Sequence, residues 1–289
     1  MNYIIVTTLK NEELYVEKTI YSIINQTVQP IKWIIIDDNS TDHSYEIISK
    51  FISKYHYITL EKNNEIKLNE KGARIASIVD NAVKNTCLDD INIIIKLDAD
   101  VTFKEDFIAN IIGEFISNPK LGIASGILYY KGIREKILFP EYTRGAIKFY
   151  RRDCWNSING LYHTTGWDTI DNESAMINGW ETRTLNFPFN HLKEEGISQG
   201  VFKMYYTAGL YYGKIPYYWP YFILKLLYRI FQKPCFISSF ITFWGYVKMR
   251  YLISDKPFPD ELSLSIQNSQ KKRIKNILTN FYVWNLWNN

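Results

Sequence analysis

Residues 93–100 read Ile-Ile-Ile-Lys-Leu-Asp-Ala-Asp, a short apolar run that stops at two carboxylates. Side chains alternate along an extended chain, so Asp98 and Asp100 point the same way and Ala99 points away. Two carboxylates so placed repel unless a cation or hydrogen-bond donors compensate them. Hard divalent cations such as Mg²⁺ or Mn²⁺ take oxygen ligands and often share them with substrate phosphates. A lone Asp-x-Asp can equally be a loop cap. Here, however, a second acidic pair, Asp37 and Asp38, ends another apolar run and leads into Asn39-Ser40-Thr41-Asp42. A third polar region, Gly166-Trp167-Asp168-Thr169-Ile170-Asp171, precedes a helical pattern. Asp168 there is placed either to cap that helix or to accept a proton from a ligand. Of the four histidines (His43, His56, His163, His191), only His191 follows a strand that could abut the acidic rim, which makes it a candidate third metal ligand.

These residues need a scaffold, and the hydrophobic pattern predicts one. Strands are expected over residues 3–7, 31–36, 57–61 and 93–98. Helices are expected from Glu12 or Glu13 to about residue 25, over 44–53 and over 72–84, with a polar loop at 63–71. Strand and helix alternating in this way build right-handed βαβ units on a parallel sheet. In such sheets ligands lie beyond the carboxyl ends of the strands, where Asp37, Asp38, Asp98 and Asp100 fall. Further on, helices are expected over 105–117, over 153–158 and after Asp168. Strands are expected over 121–128, 144–150 and 182–187, and a polar loop over 192–200. Gly-x-Gly-x-x-Gly and the P-loop pattern are missing after the first strand, so a dinucleotide dehydrogenase and a P-loop NTPase lack their motifs.

The 289 residues suffice for a full core. A net charge of +4 without a long basic run argues against nucleic acid as a partner. Cys87, Cys154 and Cys235 form neither a CxxC nor a zinc spacing, and reduced thiols in a cytosolic compartment are the expectation. No signal peptide is evident in the first residues, and no apolar run of spanning length occurs.

Several segments together resemble the family 2 glycosyltransferases of GT-A fold: Asn11-Glu12-Glu13, INQTVQP at 24–30, IIIDDNSTD at 34–42, KLDADV at 96–101 and GWDT at 166–169. The resemblance covers roughly residues 1–200. It implies a mixed α/β sheet flanked by helices and an inverting enzyme. That enzyme would use a divalent cation (Mn²⁺ or Mg²⁺) and a UDP- or GDP-linked sugar donor. It also implies roles. Asp38 would touch the donor's base or ribose, with Thr8 and Glu12 lining the same pocket and Arg74 near phosphate. Asp98 would meet ribose or metal, and Asp100 and His191 would bind the metal. Asp168 would be the base that deprotonates the acceptor, with Asp171 and Glu173 as nearby alternatives. Trp167 would be a platform for an acceptor sugar or lipid phosphate. The Gln-x-x-Arg-Trp motif of processive synthases is missing, which favours single addition in surface polysaccharide assembly.

The expected organisation is a catalytic domain over 1–200, with a nucleotide-sugar half (1–100) and an acceptor half (101–200), and a helical, aromatic-rich extension over 201–289. Tyrosines, phenylalanines and tryptophans with flanking Lys and Arg crowd that extension, and a basic stretch at 271–275 precedes Phe281, Trp284 and Trp287. Such a pattern suits the inner face of the cell membrane, beside a saccharide or polyprenyl-linked acceptor. Packing on the catalytic domain or a homodimer contact is the other use of these helices. Two rival functions are weighed. A nucleotidyltransferase of related fold would carry a Gly-rich loop after the first strand, and residues 7–11 contain no Gly. A non-catalytic nucleotide-sugar-binding module would not need its carboxylates intact.

Overall fold

The computed structural model describes the chain except residues 64, 65, 67, 69, 138, 194–199, 232, 233, 253–257, 288 and 289, and except the side chains of 278 and 280–287. Most of the polar loop expected over 192–200, part of that at 63–71, and the side chains of Phe281, Trp284 and Trp287 lie outside the described residues. The chain divides into two compact units, Met1–Glu194 and Glu195–Asn289.

In the first unit, β1 (Tyr3–Leu9), β2 (Lys32–Asp37), β3 (Ile58–Lys62) and β4 (Ile93–Asp98) run parallel in the order β3-β2-β1-β4. Their crossovers are α1 (Val16–Ile24), α2 (Ser44–Ile52) and α3 (Lys71–Lys84). These four strands bear out the βαβ reading. The sheet then becomes mixed. β8 (Ile147–Arg151) is antiparallel to β4, and β6 (Leu121–Tyr130) is antiparallel to β8. β9 (Glu181–His191) lies parallel to β6, and the short β5 (Val101–Phe103) closes antiparallel on β9. A two-residue β7 (Ile133–Arg134) turns back on β6. α4 (Phe107–Ser117), α5 (Arg152–Ser157) and α6 (Trp167–Ile177) complete the unit.

Alternation sorts the strands into two cores. Ile5, Ile35, Ile95 and Leu97 face one way with α1 and α4. Ile4, Val6, Ile34 and Ile94 face the other with α3, α5 and α6. Central parallel strands buried on both faces read as continuous apolar runs, and β1, β2 and β4 do so. Helix α1 starts later than expected. Residues 12–15 form a turn in which the Tyr15 and Val16 amides both reach the Glu12 carbonyl at 2.9 Å, so Glu12 stays on the rim rather than inside a helix. In the second unit, α7 (Val201–Lys214), α8 (Trp219–Ile230) and α9 (Ile237–Val247) run through a π-helical turn (Lys248–Leu252), and α10 (Asp260–Trp287) follows. No helix among the described residues is long and apolar enough to cross a membrane.

One buried side chain staples the strand-end turn to its neighbours. Gln26 donates from Nε2 to the carbonyls of Ser22 and Lys104, each at 2.8 Å, and its Oε1 accepts the Ile108 amide at 3.0 Å. It thereby joins the end of α1 to β5 and to the start of α4. Gln26→Leu should leave a buried amide and carbonyl unpaired and cost about 1–3 kcal/mol. Urea unfolding should show the loss as a lower midpoint at unchanged slope.

Candidate active site

The rim forms where β1, β2 and β4 end, and turn chemistry laces the ends together. Asn11 and Asn39 both adopt positive φ, which Asn tolerates better than most residues. The Asn11 Oδ1 accepts the Thr41 amide at 2.8 Å, and Ser40 Oγ accepts the Asn11 amide at 3.0 Å. Ser44 Oγ accepts the Glu12 amide at 2.8 Å, and Asp42 accepts the Glu13 amide at 3.0 Å. The Asn-Glu-Glu segment after β1 and the Asn-Ser-Thr-Asp segment after β2 are thus one hydrogen-bonded unit. Its work is to fix Glu12 and Asp38.

Asp38 is buried. It pairs with Arg74 (Nε to Oδ2, 2.7 Å), accepts Asn63 Nδ2 at 2.7 Å, and has the Lys10 ammonium at 3.9 Å. Arg74, at the start of α3, therefore reaches the rim. Thr8 lies in register between Ile36 and Asp98. Glu12 takes the Lys193 ammonium on Oε1 at 2.6 Å, while its Oε2 is buried with no hydrogen-bond partner among the described residues. Burial pushes the Glu12 carboxyl above its ordinary range, with Lys193 opposing and Asp98 adding to the rise.

Asp98, Asp100 and His191 each offer a ligand atom, all within 4.8 Å of one another. The sheet produces this cluster. β5 and β9 pair with Val101 opposite His191, the Leu192 amide donates to the Asp100 carbonyl at 2.8 Å, and the Asp98 amide donates to the Ala146 carbonyl at 2.8 Å. Thr19 donates to the carbonyl of Ala99 at 2.8 Å and holds the intervening turn. Asp100 is 6% exposed, and burial first, then Asp98, raises its pKa to about 6. His191 Nδ1 lies 2.6 Å from the Lys193 carbonyl, which can only accept, so the proton is on Nδ1. Its Nε2 faces Asp100 at 3.5 Å. An imidazole fixed in this tautomer by a carbonyl, beside two carboxylates, is a donor set that fits Mn²⁺ or Mg²⁺.

Asp168 is partly exposed and lies in the first turn of α6, where its charge complements the helix dipole. It is not the cap: Gly166 holds that position at φ +84°, and no side chain bonds there. A Cβ on Gly145 would come 3.2 Å from the Asp168 carboxylate, so the two are in close approach. The alternatives named beside Asp168 are occupied. Asp171 is fully buried and accepts Lys148 Nζ (2.6 and 2.7 Å) and Tyr150 Oη (2.5 Å), and Glu173 is buried and accepts the Tyr142 hydroxyl. Trp167 is corrected. It is 6% exposed and packs in the core under α6, with the Lys96 and Lys148 ammoniums 5.3 and 5.6 Å from its ring centroid. A stacking platform needs an open ring face, and Trp167 has none.

Two buried lysines were missed by the sequence reading. Lys96 and Lys148 sit directly opposite each other on β4 and β8. Lys96 donates to Asp98 and to the Gly145 carbonyl at 2.6 Å, and Lys148 donates to Asp171 and to the Asp168 carbonyl at 2.6 Å. A lone Lys inside an otherwise apolar strand (Ile-Ile-Ile-Lys-Leu, Ile-Lys-Phe-Tyr) was the available signal. Lys193 was also missed, because nothing in a polar loop marks which lysine folds back.

A model of glycosyl transferase family 2 matches residues 4–167. No curated protein sequence matches significantly. Among solved structures, S. aureus TarS 1–349 is 12% identical, over 88% of this chain and 73% of that one, at TM-score 0.53. The Pyrobaculum calidifontis mannosyltransferase PcManGT, solved with GDP-Man and Mn²⁺, is 13% identical over 97% and 87%, at TM-score 0.57. The Mycobacterium tuberculosis glucosyl-3-phosphoglycerate synthase, solved with Mn²⁺, UDP and phosphoglyceric acid, is 14% identical over 68% and 72%, at TM-score 0.51. At these identities the likeness is one of fold.

Two outcomes test the electrostatics. A carboxyl whose folded pKa is raised contributes stability that is present below its unfolded value, about 4, and is lost as pH rises through about 6. Asp100→Asn should therefore stabilise the metal-free protein near neutral pH by on the order of 2 kcal/mol, an effect that fades in acid. Thermal unfolding in chelator across that window measures it. Lys148→Met should cost about 3–5 kcal/mol by stranding Asp171, and adding Asp171→Leu should recover much of it. Denaturant unfolding of the single and double variants decides.

Proposed function

The chain belongs to glycosyl transferase family 2 and is a glycosyltransferase, and from that premise we propose how it acts. It moves a sugar from a UDP- or GDP-linked donor to a hydroxyl of a saccharide or polyprenyl-linked acceptor, with inversion, in surface polysaccharide assembly at the inner face of the membrane. The observation that carries this reading is the convergence of Asp98, Asp100 and His191 within 4.8 Å at the strand ends. The mannosyltransferase and synthase above, whose structures hold Mn²⁺ with a nucleotide or nucleotide sugar, support it.

In this reading residues 1–100 form the donor half, residues 101–200 the acceptor half, and residues 201–289 a membrane-associating extension. Asp38, oriented by Arg74 and Asn63, accepts hydrogen bonds from the donor's base or ribose. Thr8 and the unpartnered oxygen of Glu12 line the same pocket. Asp98, Asp100 and His191 hold Mn²⁺ or Mg²⁺, which when bound offsets the charge developing on the diphosphate leaving group. Asp168 takes the proton from the acceptor hydroxyl as that oxygen attacks the anomeric carbon. One displacement inverts the centre, and no covalent nucleophile is required.

A thermal-shift panel of UDP-, GDP-, CMP- and dTDP-sugars, with and without Mn²⁺, tests the donor site. A ligand that binds only the native state stabilises by about 2.7 kcal/mol at a hundredfold excess over its Kd. One nucleotide should give a Mn²⁺-dependent shift that Asp100→Ala abolishes, and silence with every donor would favour a non-catalytic module. Asp168→Asn should keep that shift and lose transfer by on the order of a hundredfold or more. Near-normal turnover in that variant would sink the base assignment, and release of pyrophosphate instead of a nucleoside diphosphate would mark a nucleotidyltransferase.

A further inference from the structure

Helix α9 is built inside out. Its buried positions are Ser238, Thr242, Gly245 and Tyr246, while Ile237, Phe240, Phe243 and Trp244 are exposed, Phe240 by 70%. A helix on the surface of a water-soluble domain does the reverse. The cause lies in its partner. Helix α7 presents Gly209 and Gly213, four residues apart, and the two backbones meet there. A Cβ on Gly209 would fall 2.2 Å from the Thr242 carbonyl, one on Gly213 2.6 Å from the Tyr246 carbonyl, and one on Gly245 2.5 Å from the Tyr206 carbonyl. Small residues that let helix backbones touch, with large apolar ones facing out, are how helices associate in apolar surroundings.

Helix α8 buries Tyr221 and Phe222 and still presents large apolar side chains outward. Leu224, Leu227, Tyr228 and, just past its end, Phe231 are exposed at i, i+3, i+4 and i+7, one face of the helix. The hydroxyls of Ser238 and Ser239 donate to the carbonyls of Arg229 and Leu226 at 2.6 and 2.7 Å, which joins α8 and α9 as one hairpin. Charge points the same way. Residues 195–289 hold 12 Lys and Arg against 4 Asp and Glu, a net +8, so residues 1–194 carry −4. From 196 to 254 there are seven Lys and Arg and no carboxylate. Lys203 and Arg250 are exposed among them.

We propose that the α8–α9 hairpin is an interfacial anchor for an anionic lipid bilayer. Its aromatic faces enter the boundary between headgroups and acyl chains, and the exposed cations Lys203 and Arg250 lie at the level of the lipid phosphates. Neither helix is long enough to span, so the hairpin lies in one leaflet. This deepens the membrane-proximal part of the function above by naming the surface and the lipid charge, and lipid binding can be read without donor, metal or acceptor.

The test is flotation of the full chain with phosphatidylcholine vesicles, with and without phosphatidylglycerol. The protein should float with the anionic vesicles, stay behind with pure phosphatidylcholine, and be released by salt. Phe240→Ser with Trp244→Ser should weaken binding by on the order of a hundredfold, while circular dichroism and any donor-dependent thermal shift stay as in wild type. Lys203→Glu with Arg250→Glu should weaken it by on the order of tenfold or more. Brominated acyl chains should quench wild-type tryptophan emission, and Trp244→Phe should reduce that quenching, which decides the matter even if the serine variants fold poorly. The inference is overturned if wild type ignores anionic vesicles, binds both vesicle types equally, or binds unchanged after the serine substitutions. It is also overturned if sedimentation shows a dimer that the serine substitutions dissociate and no vesicle binding occurs. That last result would make a second copy the occupant and leave the transferase reading untouched.

Discussion

Like charge sets the terms at the rim. Asp38, Asp98, Asp100 and Glu12 sit on the carboxyl ends of β1, β2 and β4 or just beyond them, and burial strengthens their mutual repulsion. Each is met by a cation that the fold brings from elsewhere in the chain. Arg74 of α3 meets Asp38, Lys193 beyond β9 meets Glu12, and Lys96 of β4 itself meets Asp98. Asp100 is the exception. Its neighbours in charge are Asp98, His191, Glu12 and the Lys193 that Glu12 already holds, and its carboxyl is the one that burial and Asp98 push to about 6. The least compensated carboxylate of the rim is therefore the one that faces the Nε2 of His191.

The two lysines on β4 and β8 extend this arrangement into the protein. Lys96 and Lys148 share a face and a tryptophan, so neither is solvated. Burial pulls the Lys148 ammonium below its ordinary range even with Asp171 against it. A hydrophobic pair in these positions would be no less stable. What the lysines supply is connection. Lys96 ties Asp98 to the carbonyl of Gly145, and Gly145 lies against the Asp168 carboxylate. Lys148 ties the carbonyl of Asp168 and the side chain of Asp171 to β8. Residues near opposite ends of one reaction, donor metal and acceptor base in the function proposed here, are thereby referred to the same pair of strands. Trp167 belongs to this framework as the aromatic surface over which both ammoniums lie, which is why it is closed to any acceptor.

The parallel half was legible because its physics is local. Ile34-Ile35-Ile36 and Ile93-Ile94-Ile95 are short β-branched runs that suit strands covered on both faces, and the polar residues that end them mark candidate positions on the rim. The approach of His191 to Asp100 was legible only as a candidate, since it depends on β5 pairing with β9 across about 90 residues of chain. The partners of Asp171 were not legible at all. Lys148 and Tyr150 alternate on β8, and nothing in the GWDTID segment says that its second carboxylate turns inward while the first stays at the surface. The role read for Trp167 failed for the related reason that an indole beside polar residues has the same sequence signature whether it stacks on a ligand or covers buried cations.

The two units differ in how much apolar surface they leave outside. In residues 1–194 the large apolar side chains are inside and carboxylates outnumber cations. In residues 195–289 α7 and α9 meet through Gly, Ser and Thr beside a small aromatic core of Tyr212, Phe222 and Tyr246, many other large rings point out, and cations outnumber carboxylates threefold. A unit whose backbone contacts are satisfied by small residues gains little from water around its exposed rings. At about 25 cal/mol for each Å² of apolar surface withdrawn from water, a few such rings outweigh the cost of confining the chain to a surface. The cations add about 1 kcal/mol each near anionic lipid. Neither contribution suffices for stable attachment when it acts alone, as single lipid anchors show, but the two act on the same short segment.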